Sequence, residues 1–368
     1  MGARGSTEET PCCCPRVLSG RPGDAHSSEP IRVAISGAAG QIGYSLLPMI
    51  ASGAMFGLRQ SVILQCLDLN QLPVKENMRG IEMELQDGSF PLLRSALFST
   101  DDAQVFKGAH YAILLGSFPR QENQSKWELM EKNVLIFRSM GRAIQENASK
   151  NCKVLVVGSP ANTNALICSA YAPSLPKENV FALSRLEQNR ACGMLAARAK
   201  ASVADVRNVV MWGAQGRGIL DLAHVTVKGK PLKEVLTREQ DKAWLQKSFA
   251  EELRARGSEI AKARKASSAL STACSIVHQV RDLHCGSPAG EIVCMGVWSD
   301  KNPYGLDGKL NVSLPVQCLG RGRYRVATGL PPGGEVQAQL KEVERELIAD
   351  RELAKELLAK HGPATLSY

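Results

Sequence analysis

The sequence lacks long apolar runs and has few aromatic residues, which make up 5% of its 368 positions. No stretch approaches the roughly 18 consecutive apolar residues that a membrane-spanning helix needs, so we expect no span. No apolar signal peptide stands at the start, and the cysteine count of 11 is odd, which argues against a disulfide framework. We therefore expect a reduced, intracellular protein of cytoplasmic type.

The rest of the composition is that of an ordinary globular chain, with 44% hydrophobic and 22% charged residues. The length suffices for two domains. The formal net charge of +9 favours anionic partners. Basic stretches such as residues 262–265 and 321–325 lack interleaved aromatics or a nucleic-acid motif, so we expect no nucleic-acid partner.

Residues 1–30 form a tail rich in Gly, Pro, Ser and charge, without a helix or strand period. Gly2, with Ser6 four positions later, fits the N-myristoylation pattern. One myristoyl chain binds a membrane only marginally, and S-palmitoylation of three adjacent cysteines would supply a second anchor. These cysteines are Cys12, Cys13 and Cys14. Two interpretations stay open: an acylated tail that tethers the protein to a membrane, or a disordered tail that matches by chance.

A strand, a glycine-rich turn and a helix follow the tail. The apolar run at residues 31–36 predicts a buried parallel strand. Gly37 permits a tight turn, Gly40 a close approach to a pyrophosphate, and Gly43 close packing of the helix on the strand. Gln41 and Ile42 lie between them, where the unpaired N–H groups of the helix start face the phosphates.

The next strand, residues 62–67, ends at Asp68. An acid there bonds the ribose hydroxyls and repels a 2′-phosphate, which favours NAD over NADP. Further strands at residues 111–115 and 154–157 alternate with helical stretches. We predict an α/β fold: an N-terminal Rossmann-type, doubly wound parallel sheet at 31–160, and an α+β substrate domain at 161–368.

Several segments of the chain resemble cytosolic-type malate dehydrogenase, in the lactate/malate dehydrogenase superfamily. They are GAAGQIGYSLLPMIASGAMFG from residue 37, MELQD (83–87), GSFPR (116–120), SPANTN (159–164), RLEQNRA (185–191), KARKASSALSTA (262–273) and GVWSDKNPYG (296–305). The resemblance implies a Rossmann domain followed by a substrate domain, NAD as cofactor and a homodimer. The implied reaction converts (S)-malate and NAD to oxaloacetate and NADH.

The resemblance also assigns roles to four residues of this chain. Arg120 matches a loop arginine that binds the distal carboxylate of the dicarboxylate or 2-hydroxy acid. Arg190 matches the helix arginine that grips the other carboxylate. Asn162 matches an asparagine that contacts substrate or cofactor, and Asn133 matches a position near the cofactor.

Three residues depart from the family pattern. Lys126 stands where a second loop arginine polarises the carbonyl, and Glu187 replaces the aspartate that orients the base. Gln215 replaces the base itself, a histidine that follows Trp212 and Gly213. An amide cannot take up a proton near neutral pH, and losing a general base costs on the order of 10²- to 10⁴-fold in rate.

Two interpretations of function follow. The chain is a malate-dehydrogenase-like pseudoenzyme that binds NAD with turnover strongly reduced or lost, and that pairs with itself or with an active relative. Alternatively, it is an active NAD-dependent 2-hydroxy-acid dehydrogenase with an altered substrate or mechanism. We expect no other histidine to act as base.

Overall fold

The computed structural model describes residues 29–118 and 125–360. The predicted lipidation positions Gly2, Cys12, Cys13 and Cys14, and the predicted substrate arginine Arg120, lie outside the described residues. Within the described part, no helix is both long and apolar enough to cross a bilayer.

Six parallel strands build the N-terminal half of one large sheet. They are β1 (Ile31–Ser36), β2 (Val62–Leu67), β3 (Leu93–Ser99), β4 (Tyr111–Leu114), β5 (Lys153–Val156) and β6 (Val180–Ala182). Their spatial order is β3-β2-β1-β4-β5-β6, so the sheet winds outward in both directions from β1 and β4. This doubly wound arrangement confirms the predicted Rossmann-type fold, and its carboxyl edge is where ligands of such sheets bind.

The C-terminal half is antiparallel. The strands of this half are β7 (Val206–Arg207), β8 (Val210–Ala214), β9 (Arg217–Asp221), β10 (Thr226–Val227), β11 (Lys230–Pro231), β12 (Val293–Trp298), β13 (Asn311–Gly320) and β14 (Arg323–Val326). Strands β11, β10 and β7 form a small separate sheet, and the others extend the large sheet. Strand β12 pairs antiparallel with β6, and the sheet continues through β13, β8 and β9. The turn between β8 and β9 consists of Gln215 and Gly216, which places the predicted base position on a rigid hairpin.

Helices cover both faces of the sheet. They are α1 (Gln41–Ala51), α2 (Leu72–Asp87), α3 (Asp102–Phe106), α4 (Lys126–Asn147), α5 (Ala161–Ala170), α6 (Arg185–Ala199), α7 (Leu232–Val235), α8 (Glu239–Lys247), α9 (Phe249–Arg264), α10 (Ala269–Cys285) and α11 (Gly334–Lys360). Val33 and Ile35 of β1 join one apolar cluster, and Ala34 joins the other. Because successive strand residues point to opposite faces and both faces are covered, the buried middle of β1 needs consecutive apolar residues, and Val33, Ala34 and Ile35 supply them.

Candidate active site

The turn between β1 and α1 requires glycine at two positions. Gly37 has φ +72°, and a Cβ there would lie 3.0 Å from the backbone nitrogen of Gly116. At Gly43 a Cβ would lie 2.2 Å from the carbonyl oxygen of Ala38. The first turn of α1 therefore packs directly on the backbone of the loop, as predicted for a dinucleotide-binding turn.

The amino end of α1 opens into a groove of about 470 Å³ lined by Gly37, Gly40, Gln41 and Ile42. Gly40 caps the helix without a side-chain hydrogen bond, and the first turn carries no acidic residue. The helix start therefore presents orphan N–H groups and the positive end of its dipole to the groove. These features fit the pyrophosphate of a dinucleotide.

Asp68 joins this groove to a second cavity of about 660 Å³. Its carboxylate accepts hydrogen bonds from the backbone N–H groups of Ala39 and Leu69, each at 2.8 Å. The second cavity has apolar walls from Ile136 and Met140. An apolar cavity beside a fixed carboxylate fits an adenine ring and the hydroxyls of its ribose.

A third cavity, of about 830 Å³, continues from the groove past Ile42 and Leu115 to Gln215. Ser117, Ser159 and Arg217 also line it. The three cavities form one run along the carboxyl edge of the parallel strands. The predicted base position therefore stands at the end of the run opposite Asp68, where the reacting end of a dinucleotide would lie.

Gln215 is hydrogen-bonded through its side chain and its backbone to the segment that follows β5. Its side-chain Oε1 accepts from Ser159 Oγ at 2.8 Å and from the Ala161 N–H at 3.3 Å. Its Nε2 donates to the Val157 carbonyl at 3.2 Å, and its backbone N–H donates to Asn162 Oδ1 at 2.9 Å. The amide thus holds the hairpin turn against the loop between β5 and α5, instead of pointing freely at a substrate.

Asn162, predicted to contact substrate or cofactor, lies behind the cavity with 3% of its surface exposed. Its Nδ2 donates to the Asn311 carbonyl at 3.1 Å and lies 3.3 Å from Asn311 Oδ1. Ser159, which sequence reasoning missed, faces the cavity in its place. Its position directly before Pro160, at the carboxyl end of a parallel strand, is the signal that could have identified it.

Glu187, on the first turn of α6, contacts Gly216, the residue that follows Gln215. Its Oε1 accepts from the Gly216 N–H at 2.8 Å, so the carboxylate orients the turn and not an imidazole. Burial raises the pKa of Glu187 to about 7, and the Gly216 hydrogen bond and nearby Arg190 oppose the shift. Glu187 is therefore a carboxyl group that changes charge near neutral pH.

Arg190 follows Glu187 by one helical turn. Its Nη2 donates to Ser268 Oγ at 3.1 Å, and both terminal nitrogens lie beside the backbone of Gly257. Its buried Nε has no hydrogen-bond partner among the described residues. Burial lowers the pKa of Arg190, and Glu187 opposes that shift. A guanidinium suits a carboxylate ligand, but Arg190 is not among the residues that line the three cavities.

The remaining predicted residues lie apart from the cavities. Asn133 is fully buried, where its Oδ1 accepts from the Phe118 N–H at 2.9 Å and its Nδ2 donates to the Leu129 carbonyl. It thereby fixes the start of the segment that leads to residue 119. Lys126 is the first residue of α4. Leu129, which lies between them in the chain, lines the third cavity.

Arg217, two positions after Gln215, adds no free positive charge. Its guanidinium donates to Glu346 at 2.5 Å and to Asp350 at 2.8 Å, so the acids of α11 neutralise it. These two carboxylates also line the third cavity, but both are held by Arg217.

The described histidines lie away from the three cavities. His110 accepts from the Arg32 N–H at the opposite edge of the sheet, His284 bonds Tyr111 Oη, and His278 bonds Asn189. His224 lies in the turn before β10 instead of in a longer strand. Among the described residues, no histidine stands beside Gln215 to replace the missing base.

A doubly wound parallel sheet with a glycine turn and a carboxylate at the end of the second strand defines a dinucleotide-binding protein. Residues 31–182 match the lactate/malate dehydrogenase NAD binding domain, and residues 184–358 match the lactate/malate dehydrogenase alpha/beta C-terminal domain. The chain belongs to the lactate/malate dehydrogenase family. The family resemblance, the fold class and NAD as the cofactor are thereby confirmed.

Relatives cover nearly the whole body of the chain. Cytoplasmic malate dehydrogenase from Zea mays is 43% identical over 333 residues, which are 89% of this chain and 98% of that protein. The Gallus gallus enzyme is 42% identical over 334 residues, 90% and 99% of the two chains. Among solved structures, malate dehydrogenase from Naegleria fowleri is similar, with a TM-score of 0.84, 35% identity and coverage of 90% and 99%. Trichomonas vaginalis lactate dehydrogenase in complex with NADH and oxamate has a TM-score of 0.82, 31% identity and the same coverage.

Proposed function

We propose that the chain binds NAD but has lost most or all of the malate dehydrogenase activity of its family. The supporting observation is that Gln215 stands where the base would be and that its amide makes three hydrogen bonds to the loop after β5. When bound, NAD supplies the hydride acceptor at its nicotinamide ring. The residues that would hold it are Gly37, Gly40, Gln41, Ile42 and Asp68.

The residues around the reacting end can bind and orient but cannot move a proton at the expected place. Ser159 and Ser117 line the cavity there, and Gln215 accepts and donates hydrogen bonds without titrating, whereas Arg190 lies outside the cavity lining. Loss of a positioned base costs roughly 3 to 5 kcal/mol of barrier. Binding of cofactor therefore persists while turnover falls.

Calorimetry and a turnover assay on one preparation test this proposal. We expect NADH to bind in the micromolar range typical of dinucleotide sites, and NADH oxidation with oxaloacetate to stay near a no-enzyme control. Turnover close to that of an ordinary malate dehydrogenase would refute the loss of activity. Absence of NADH binding would refute the cofactor role.

A second candidate is an active 2-hydroxy-acid dehydrogenase in which Glu187 takes up the proton. The raised pKa of Glu187, about 7, and its proximity to Arg190 favour it. This candidate predicts turnover that rises with pH through about 7 and disappears in Glu187→Gln. If Glu187→Gln leaves any residual activity and its pH profile unchanged, this candidate is excluded.

We further propose that the chain forms a homodimer through its helical face formed by α1, α2 and α10. Tyr44, Met83 and Leu270 are 50%, 51% and 59% exposed on these helices. Tyr44 Oη bonds Glu84 Oε1, and Ser267 just before α10 donates to Gln41 of α1, so α1 contacts both α2 and the start of α10. Exposed apolar patches of this kind favour a partner surface.

Sedimentation velocity separates the alternatives. Met83→Glu with Leu270→Glu should convert a dimer to a monomer, whereas Val203→Glu, at a side chain that is 55% exposed elsewhere, should not. A wild-type monomer at micromolar concentration would refute the dimer.

The tail supports a membrane role. We propose that Gly2 is N-myristoylated and that at least one of three cysteines is S-palmitoylated, which tethers an intracellular protein to a membrane. Those cysteines are Cys12, Cys13 and Cys14. Mass spectrometry of the protein from its own cells should find the acyl groups, and Gly2→Ala should release it to the soluble fraction. An unmodified Gly2 would refute the tether.

A further inference from the structure

The edge of the sheet at which the parallel strands begin lies opposite the cofactor cavities. The first described residue, Glu29, lies at this edge, where its carbonyl accepts a hydrogen bond from Nε2 of Gln60, just before β2, at 3.1 Å. The His110 N–H donates to the Arg32 carbonyl, and the Lys153 N–H donates to the His110 carbonyl, each at 2.9 Å. The loops that precede β2, β4 and β5 therefore lie side by side around the start of β1.

The turn between β13 and β14 joins this edge from the C-terminal half. The Arg321 N–H donates to the His284 carbonyl at 2.7 Å, and His284 Nδ1 lies 2.9 Å from Tyr111 Oη. Gly322 lies against the side chain of Lys153, since a Cβ there would be 2.2 Å from Lys153 Cε. One continuous surface thus contains loops from both halves of the chain.

Six exposed bases on these loops and on the adjoining ends of β1 and β14 form what we call the basic edge. They are Arg32, Arg59, Lys107, Lys150, Arg321 and Arg323. No ion pair among the described residues involves any of the six. On α11, by contrast, Lys341, Arg345, Lys355 and Lys360 each pair with an acid on the same helix. The acids Glu29, Glu146 and Glu178 lie on the same side of the sheet, so the basic edge retains net positive charge.

Two apolar side chains accompany the bases. Leu58, next to Arg59, is 54% exposed, and Leu319, two residues before Arg321, is 46% exposed. Adjacent parallel strands are about 4.8 Å apart, so the starts of β2, β1, β4 and β5 span roughly 15 Å. A surface of this width, with bases and leucines intermixed, fits a layer of anionic headgroups above acyl chains.

We propose that the basic edge docks the protein on an anionic lipid surface. The proposal rests on the tether proposed above, because residues 1–28 lead directly into this edge at Glu29. A lipid anchor on that segment would therefore be joined to the body of the protein at the basic edge, on the side opposite the cofactor cavities. The carboxyl edge with Asp68 and Gln215 would then face away from the lipid and stay open to small molecules.

Vesicle sedimentation with N-myristoylated full-length protein tests the proposal. The vesicles contain either phosphatidylcholine alone or equal parts phosphatidylcholine and phosphatidylserine. The test variant is Lys107→Glu, Lys150→Glu, Arg321→Glu. The control makes the same change in net charge at three exposed lysines of the C-terminal half: Lys228→Glu, Lys230→Glu, Lys233→Glu.

We expect the test variant to lose ~100-fold or more in partitioning onto phosphatidylserine vesicles, since each base near an anionic surface contributes about fivefold. The control variant should lose much less, and both should retain wild-type NADH affinity and unfolding midpoint. If test and control variants bind alike, the basic edge is not the docking surface.

Failure of the acylation proposal can be distinguished from failure of the basic-edge proposal. If Gly2 carries no acyl group in cells, the tether proposal fails, and the same comparison on unacylated protein still decides the basic edge. If the test variant loses binding to heparin but not to phosphatidylserine vesicles, the surface serves a soluble polyanion and the lipid proposal is wrong.

Discussion

The double variant Gln215→His, Glu187→Asp, which restores the family residues, should be less stable than wild type and turn over oxaloacetate faster. The side chain of Gln215 makes three hydrogen bonds across the gap between the β8–β9 turn and the loop after β5. A net contribution of about 1 kcal/mol each gives a loss of about 2 to 3 kcal/mol in Gln215→His, because an imidazole cannot reproduce all three. The backbone bond to Asn162 should remain.

The expected gain is in turnover. A base at this position is worth on the order of 10²- to 10⁴-fold, but only if an acid orients it. Glu187 now bonds Gly216 with a side chain one methylene longer than aspartate, so we expect Gln215→His alone to gain less than the double variant.

Thermal unfolding and NADH oxidation with oxaloacetate measure the two effects on the same samples. A loss of about 2 to 3 kcal/mol should lower the unfolding midpoint by several degrees. Ser159→Ala, which removes one of the three bonds and adds no base, serves as the control and should lower the midpoint slightly without raising activity. A double variant that is as stable as wild type would refute the structural role of the Gln215 amide.

Three further predictions concern the surrounding site. Folded Glu187 holds its proton up to a pH of about 7, whereas an unfolded glutamate releases it near 4.5, so the stability of the protein should fall as pH rises between these values. Glu187→Gln should flatten this pH dependence in unfolding midpoints measured against pH. Gly43→Ala should destabilise the fold by about 2 kcal/mol or more in denaturant titrations and abolish NADH binding, because the new Cβ would lie 2.2 Å from the Ala38 carbonyl oxygen. The control, Gly80→Ala, has no atom within 4 Å of its new Cβ and should stabilise the fold slightly. Asp68→Ala should lower the preference for NAD over NADP by about tenfold in calorimetry, and an unchanged preference would remove Asp68 from cofactor selection.

The glycine turn could be predicted from sequence because its determinants are local. Gly37 and Gly43 are needed for one φ angle and one close approach within a short segment, and β1 has the same bounds in sequence and structure. Helix boundaries are less local, as residues 239–285 show, which contain the three helices α8, α9 and α10. Ser248 separates α8 from α9, and Lys265 in the left-handed conformation ends α9. Such breaks depend on tertiary packing, which overrides helix propensity.

The contacts of the site could not be predicted, because they join distant parts of the chain. That Gln215 departs from the family is visible in sequence, but its bonds to Val157, Ser159 and Ala161 span more than fifty positions. The same reason applies to Arg217, whose charge is neutralised by acids of α11 well over a hundred positions away.

The most direct test of the role of Gln215 is a single-turnover measurement. Protein saturated with NADH is mixed with oxaloacetate, and the decay of bound NADH is followed by fluorescence in wild type and in Gln215→His with Glu187→Asp. We predict that wild type reacts ~100-fold or more slowly than the double variant. A wild-type rate equal to or above that of the double variant would contradict the conclusion that the replacement of the base by Gln215 limits catalysis.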